Sequence, residues 1–533
     1  MKSQVRVYHR RRILCVFPRY APSFGTFQHA YRLMDGVRAF MPPQGILVIA
    51  AYLPAGWDVR LVDENIGLAT RQDLNWADAV LVSGMHVQKA EIIGIARRAH
   101  AAGKVTVLGG PSVSACPKQY PEFDYLHVGE LGDATDELIR TLDDGVRRPA
   151  AQRAFVTAKR LPLSDFPNPA YELLEGRRYF LGNVQFSSGC PYQCEFCDIP
   201  GLYGRQPRFK EPEQIVAELD AMLAAGISGA VYFVDDNFIG NKKAARTLLP
   251  HLIAWQRKRG YPIQFSCEAT LNIATCPDIL TMMREAYFYA VFCGIETPEP
   301  EALEAMRKPH NRVMPLLEAV DIINRHGIEV VSGIILGLDT DTMATAANLV
   351  EFIDRSQIPM LTINLLQALP KTPLWDRLAA AGRLAGEDDG RESNVVFARP
   401  YAEVLDDWRF AIAHAYAPEA VYRRFAWHFR HTYPNRVRPP LSRARLSAAN
   451  LRRGIVTLAK IFWKIGLFSD YRHCFWQMAR AALRDGQLTE LIATALVAHH
   501  LILFARECTR GLQSASFYAD RPKTAADQPA IAA

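Results

Sequence analysis

The sequence predicts an α/β protein: a doubly wound five-stranded domain, then a partial (β/α)6 barrel, then a helical C-terminal extension. Three observations carry this. The chain has 533 residues, too many for one core. Strand-like apolar runs alternate with helical stretches in two separate series. Beyond about residue 400 the pattern turns helical and strand-poor.

The first series fills residues 1–145. Its strand candidates are "ILCVF" (13–17), "VRLVDE" (59–64), "AVLVSG" (79–84), "KVTVLGG" (104–110) and "YLHVGE" (125–130). Helical stretches lie between them, such as "GILVIAAYLP" (45–54), "KAEIIGIARRAHAAG" (89–103) and "DATDELIRTLDDG" (133–145). Apolar strands separated by helices imply a parallel sheet covered on both faces. Ligands of such sheets sit beyond the carboxyl ends of the strands. Those ends read "SGMHVQ" (83–88), "GGPSVSA" (109–115) and "VGELGD" (128–133), rich in glycine, which lets backbone approach a ligand. Residues 146–178 follow with four prolines in the 145–176 stretch and weak periodicity, the signature of a linker.

The second series, residues 179–400, has strand candidates at "NVQFSS" (183–188), "GAVYFVDD" (229–236), "IQFSCEA" (263–269), "YAVFCGIE" (289–296), "EVVSGIILG" (329–337) and "LTINLLQALP" (361–370). Helical segments separate them, so six βα units form a partial barrel. Barrel chemistry sits at the C-terminal ends of strands. Residues 401–520 form a helical domain whose tryptophans Trp408, Trp427, Trp463 and Trp476 read as core, and 521–533 read as a disordered tail.

Composition narrows the class. Ten cysteines exclude a disulfide scaffold, and 49% apolar with 22% charged residues is ordinary for a globular chain. The N-terminal apolar run is five residues, too short for a signal peptide, so a reducing, cytoplasmic setting is expected. No run of about 18 apolar residues is uninterrupted, and "LTELIATALVAHHLILFA" (488–505) reads as a buried amphipathic helix. From Tyr401 onward the chain carries 19 Lys/Arg against 10 Asp/Glu. A basic, aromatic C-terminal third suits anionic lipid or nucleic acid, or is a solvated face.

The strongest local signal is "SSGCPYQCEFCDIP" (187–200), with Cys190, Cys194 and Cys197 in a C-x3-C-x2-C spacing directly after the first barrel strand. Three thiolates from one loop can hold three irons of a cluster. An electron-transfer [4Fe–4S] cluster takes four cysteines, so three leave one iron open for chemistry. Zinc with a Cys3His set would need a nearby histidine, and the nearest in sequence are His127 and His251. Cys267, Cys276 and Cys293 read as core thiols.

C-x3-C-x-aromatic-C, with Phe196 before Cys197, resembles the signature of radical S-adenosylmethionine (SAM) enzymes. The resemblance covers roughly residues 180 to 400. It implies a [4Fe–4S] cluster whose open iron chelates SAM, and reductive cleavage of SAM to a 5′-deoxyadenosyl radical. It makes Asp235, Asp236 and Asn237 in "FVDDNF" candidates for the amino end of SAM, with helix capping as the alternative. Glu268 and Glu296 resemble positions facing the ribose or carboxylate of SAM, and "GIILGLD" with Gly337 resembles the segment beside adenine.

A flavodoxin-like module ahead of such a core resembles the cobalamin-binding class of that superfamily, on "MPPQGILVIAAYLP" (41–54), "VDEN" (62–65), "GGPSVSA" and "VGE". Candidate cobalamin contacts are Ser83, Gly84, His86, Gly109, Gly110, Gly129 and Glu130. The D-x-H-x-x-G loop that supplies a histidine to cobalt is absent; His86 lacks that context, and a polar contact or structural role suits it better than axial ligation.

Together the two cofactors imply methylation of an unactivated carbon, where acid–base catalysis fails. The whole chain is similar to the hopanoid C-2 methylases, on "FSSGCPYQCEFCDIPGLYGR" (186–205), "VYFVDDNFIGNKKA" (231–244) and "INLLQALPKTPLW" (363–375). That resemblance implies a hydrophobic pentacyclic triterpenoid substrate, an electron donor such as a flavodoxin or ferredoxin, no nucleic acid, and peripheral contact with the inner membrane surface. Rival readings are an oxygen-independent magnesium-protoporphyrin ester cyclase-like enzyme, a methylase of another lipid or natural product, and a cobalamin and cluster sensor or electron carrier without turnover. No general acid or base is identified.

Overall fold

A computed structural model describes residues 8–386, 391–440 and 448–513; the expected tail at 521–533 lies outside the described residues. The chain divides into two compact units. Unit 1 is Met1–Ala21, Met41–Val184 and Arg208–Ile227, and unit 2 is Pro22–Phe40, Gln185–Pro207 and Ser228–Ala533.

Unit 1 holds a parallel sheet of β1 (Arg12–Phe17), β2 (Asp58–Asp63), β3 (Ala79–Ser83), β4 (Val105–Gly109), β5 (Tyr125–Val128) and β6 (Arg153–Val156), in the order β2-β1-β3-β4-β5-β6. Strand period sorts its side chains. Ile13, Cys15, Leu81 and Val107 face one core layer with Ile46, Leu138 and Leu142. Leu14, Val16, Val80 and Leu108 face the other with Ile92, Ile95 and Ala99. The five expected strands are all present. The sixth, β6, lies in the segment read as a linker. It is an edge strand with only Phe155 of its four residues buried, so it leaves no alternating pattern.

In unit 2, β7 (Gly229–Phe233), β8 (Ile263–Glu268), β9 (Phe288–Glu296), β10 (Glu329–Leu336) and β11 (Leu361–Leu365) pair in sequence, each parallel to the next. Phe233, Phe265 and Phe288 from neighbouring strands pack with Phe238, ring centroids 5.3–5.7 Å apart. The short strand Gly182–Val184 ends unit 1's run and leads into the cysteine loop. β9 carries a register shift between Gly294 and Glu296. Such bulges re-aim a side chain beside a site, and Glu296 here has φ 67°.

Helices Tyr401–Ala415, Pro418–His431, Ala448–Ile461, Arg472–Arg484 and Leu488–Thr509 complete unit 2. Buried Trp408 donates from Nε1 to the Ile363 carbonyl of β11 at 2.9 Å, fixing the first of them to the sheet. Leu488–Thr509 is long and apolar enough to cross a membrane by length and composition, with mean hydropathy 1.7, but 61% of that window is buried inside the protein. The segment Pro22–Phe40 lies against it: His500 Nε2 sits 3.1 Å and 3.2 Å from the Ser23 and Phe24 carbonyls, Phe24 meets Phe504 edge-on, and His29 pairs with Glu507 at 3.0 Å.

Candidate active site

The cysteine loop of unit 2 is tethered along its whole length. Asp235 Oδ1 accepts from the Phe186 and Ser187 N–H groups at 2.7 and 3.0 Å, and Asp236 Oδ2 accepts from Gly189 N–H at 2.6 Å. Gly189 has φ 96°, and a Cβ there would stand 3.0 Å from the Gly204 carbonyl oxygen, so only glycine fits. That same carbonyl accepts from Cys190 N–H at 3.2 Å. The Tyr192 ring packs at a tilt of 31° against His310 with centroids 3.9 Å apart, and its hydroxyl accepts from Asn272 at 3.0 Å. Glu195 donates its N–H to the Met306 carbonyl at 3.0 Å, while its carboxylate receives Arg377 at 2.6 and 3.2 Å.

Cys190, Cys194 and Cys197 are free and half-buried. Burial raises all three thiol pKa values; the Asp236 carboxylate adds to the rise at Cys190, and the Lys308 ammonium opposes it at Cys190 and Cys194. Two thiolates on one zinc ion lie within about 4.6 Å of each other, since each bond is about 2.3 Å. The only trio of donors within 4.8 Å of one another among the described residues is Glu419, His473 and Cys474. The three loop sulfurs therefore stand too far apart to share a single ion, and suit separate metal atoms of one cluster.

The carboxylates gather on the same side. Asp235 is 1% exposed; burial lifts its pKa to about 7 against the pull of its two backbone donors, and its Oδ2 has no hydrogen-bond partner. Asn237 is committed to the protein, accepting from Ile239 N–H at 3.2 Å and donating to Thr270 Oγ1 at 3.3 Å. Glu268, at the end of β8, is solvent-accessible although enclosed by protein, as expected of a group lining an interior space. Surrounding protein first, then the charges of Asp236, Asp235 and Glu296, raise its pKa.

Glu296 is paired. Lys308 Nζ lies 2.5 Å from its Oε1, and the same ammonium sits 5.6 Å from the Phe196 ring centroid of the cysteine motif. Burial lowers the Lys308 pKa, but Glu296 and the Cys194 and Cys197 sulfurs more than offset it. Gly294 makes room for the pair: a Cβ there would stand 2.3 Å from Glu296 Oε1 and 2.8 Å from Lys308 Nζ. At Gly337 the place of a Cβ is filled by the Phe397 ring at 2.6 Å, and its N–H donates to Asp341 at 2.7 Å. The glycine is thus required by packing against Phe397.

In unit 1 the candidate residues line the carboxyl edge of the sheet. Ser83, His86, Gly109, Gly110, Gly129 and Glu130 are half-buried there, and Gly84 is buried. His86 opens the short 3-10 turn His86–Gln88. A Cβ on Gly110 would stand 2.7 Å from Ser83 Oγ, and one on Gly84 2.9 Å from Ile92 and Pro18, so these glycines bring the strand ends together. Gly129 donates its N–H to Ser114 Oγ at 2.9 Å. Glu130 is held by Arg208 at 2.8 Å and Arg160 at 3.2 Å.

Residues 33–139 match the B12 binding domain, 184–353 the Radical SAM superfamily, and 372–514 a domain of unknown function. The chain is 60% identical to the hopanoid C-2 methylase of Rhodopseudomonas palustris over 516 residues, 97% of this chain and 98% of that protein. The chain belongs to the hopanoid C-2 methylase family of B12-binding radical SAM enzymes. It is also 34% identical to an uncharacterized methyltransferase of Synechocystis, covering 92% of this chain and 90% of that one. The fold matches two solved structures. One is the cobalamin-dependent S-adenosylmethionine radical enzyme OxsB with aqua-cobalamin and S-adenosylmethionine bound (TM-score 0.59, 16% identity, 95% of this chain, 81% of that one). The other is the radical S-adenosylmethionine methyltransferase TsrM of Kitasatospora setae with cobalamin and a [4Fe–4S] cluster bound (TM-score 0.59, 15% identity, 90% of this chain, all of that one).

The enzyme is a radical SAM methyltransferase that uses a [4Fe–4S] cluster, SAM and cobalamin. Its residues fit these groups. Three thiols spaced beyond single-ion reach, beside a buried ammonium, suit an anionic cluster. Solvent-accessible Glu268 offers an acceptor for a cationic ligand. The small residues of unit 1 let the strand ends close up at the carboxyl edge of the sheet, the edge beyond which such sheets hold their ligands.

Lys308, Tyr192, His310, Arg377 and Phe397 were not singled out from sequence. The signal for two of them was present: "RKPHN" (307–311) is a polar run following β9, where barrel chemistry collects. Arg377 and Phe397 come from distant segments and left no local signal.

Proposed function

We propose that this enzyme methylates C-2 of a hopanoid. The observation that carries the reading is the 60% identity to the Rhodopseudomonas palustris hopanoid C-2 methylase, which runs through the barrel and the C-terminal helices alike. When bound, the cluster with SAM supplies radical chemistry, and cobalamin supplies a methyl carrier.

The chain's own residues divide the work. Cys190, Cys194 and Cys197 hold the cluster. Asp235 and Asp236 fix the approach to that loop through its backbone N–H groups. Asp236, Asn237, Glu268, Glu296 and Gly337 border the SAM site, with Lys308 orienting Glu296. Ser83, Gly84, His86, Gly109, Gly110, Gly129 and Glu130 border the cobalamin site. We assign cobalamin to residues 1–145, radical chemistry to 179–400 and substrate handling to 401–520, with 146–178 between the first two.

An acidic electron donor, a flavodoxin or ferredoxin, suits the surface beside the cysteine loop. A cavity of about 460 Å³ there is lined by Tyr192, Arg205 and Arg307, with Arg312 paired to Glu304 at its wall. We infer a cytoplasmic enzyme working at the inner membrane surface, where an apolar lipid substrate would be met.

The test is deletion of the gene in its host, followed by mass spectrometry of extracted lipids. Hopanoids one CH2 heavier should vanish, return with the wild-type gene, and stay absent with Cys194→Ala. An unchanged hopanoid profile would overturn the substrate.

A further inference from the structure

The helical stretch 448–468 turns an apolar stripe to solvent. Leu451, Ile455, Trp463, Leu467 and Phe468 are 56%, 58%, 64%, 55% and 67% exposed. With Ala459, also exposed, four of them recur every fourth residue. The opposite edge is core: Thr457, Ile461 and Ile465 are buried. Trp463 therefore departs from the core role expected of this segment's tryptophans.

The exposed end is built and held. Helix Ala448–Ile461 continues as a π-turn, Phe462–Leu467, whose wider winding leaves Trp463 beside Phe468, centroids 4.9 Å apart. Trp476 Nε1 donates to the Gly466 carbonyl at 2.8 Å and its ring stacks on Phe462 at 5.4 Å, fixing the turn.

Charge on this stretch has one sign. Residues 448–469 carry Arg452, Arg453, Lys460 and Lys464 and no Asp or Glu; Arg452 lies 3.7 Å from Asp35, and Asp470, which follows, is paired with Arg506 at 2.6 Å. Exposed Trp and Phe on a helix whose own charges are cations is the pattern that seats a helix in a headgroup layer, aromatic rings at the acyl boundary and cations on anionic lipid. A second copy fits worse, because self-pairing about a two-fold axis would bring the same cations together.

We propose that this stripe is the edge by which the enzyme enters the interface of an anionic bilayer. The inference deepens the hopanoid reading and rests on it for its purpose, since an apolar substrate must be drawn from lipid.

The test uses the full-length protein and hopanoid-free vesicles, so that binding is independent of substrate identity. Flotation is compared on phosphatidylcholine vesicles with and without phosphatidylglycerol. Wild type should float with the anionic vesicles and not with the neutral ones. Trp463→Ser with Phe468→Ser should cut partitioning roughly tenfold or more, with circular dichroism and bound cobalamin unchanged. Arg452→Gln with Lys464→Gln should weaken binding to anionic vesicles and flatten its salt dependence. Equal flotation of wild type and Trp463→Ser/Phe468→Ser would overturn the proposal. So would a change in association state, seen by sedimentation, without a change in vesicle binding. If the vesicles bind as expected but lipid analysis shows unaltered hopanoids, the substrate reading alone falls.

Discussion

Lys308 and Glu296 form a buried ion pair, Nζ to Oε1 2.5 Å, with side chains only 7% and 10% exposed. The pair stands on the bulge that ends β9 and faces the cysteine motif through Phe196. A charge buried in such a place is tolerable only while its partner is present.

Lys308→Met should therefore destabilise the protein by about 3–5 kcal/mol, because it strands the Glu296 carboxylate. Adding Glu296→Leu should recover most of that loss. Urea unfolding of the single and double variants measures the coupling; additive losses would refute it. In the cluster-loaded single variant, potentiometric titration followed by electron paramagnetic resonance should show a midpoint potential lower by tens of millivolts.

Gly294→Ala tests the same pair by volume instead of charge. Its Cβ would stand 2.3 Å from Glu296 Oε1. We expect a loss of roughly 1–3 kcal/mol that nearly disappears in the Glu296→Leu background. A full-sized loss in that background would mean that the glycine serves some other contact.

Cys194→Ala removes one loop thiol. Iron content after anaerobic reconstitution should fall sharply, and 5′-deoxyadenosine formation should cease. Cobalamin bound by the purified variant should match wild type. Loss of cobalamin as well would point to misfolding.

His428 is buried and neutral, with Nε2 2.9 Å from the Gln357 carbonyl, and burial depresses its pKa to about 3. The unfolded chain takes up a proton near pH 6.5 and the folded chain does not. The stability held by this neutral ring is thus present above pH 6.5 and lost as pH falls. The advantage of wild type over His428→Gln should shrink by about 2 kcal/mol between pH 7 and pH 5. Denaturant midpoints at the two pH values check this.

Asp235 has the opposite sign. Its folded pKa is raised to about 7, so the stability it contributes is greatest below about pH 4 and is lost as pH rises toward 7. Asp235→Asn keeps an acceptor for the Phe186 and Ser187 N–H groups. It should gain on wild type across that window, by at most about 1.4 kcal/mol per pH unit. A constant difference across the window would place the proton elsewhere.

Much of the fold was legible because it rests on local pattern. The five apolar strands of unit 1 and the β7–β11 series announce themselves by runs of Val, Ile, Leu and Phe that only a covered sheet can hide. β6 was not legible, since one buried phenylalanine in four residues makes no pattern. The cysteine motif was legible because its spacing is short. Its setting was not: Lys308 reaches Cys194 across more than a hundred residues, and Arg377 reaches Glu195 across 182. The sequence makes Asp235 and Asp236 candidates for SAM or for capping, and the protein partners they have are backbone amides of the loop. Polar residues at strand ends serve protein and ligand alike, and sequence does not separate the two uses.

The strap Pro22–Phe40 closes on a helix made almost five hundred residues later, with His500 capping the Ser23 and Phe24 carbonyls. On the ribosome the Ser23 carbonyl can meet Thr26 at once, but the contacts of this stretch with His500, Phe504 and Glu507 must wait for Leu488–Thr509 through nearly the whole of synthesis. Nascent chains stalled before that helix should remain open to protease at the strap while the strands between are already protected.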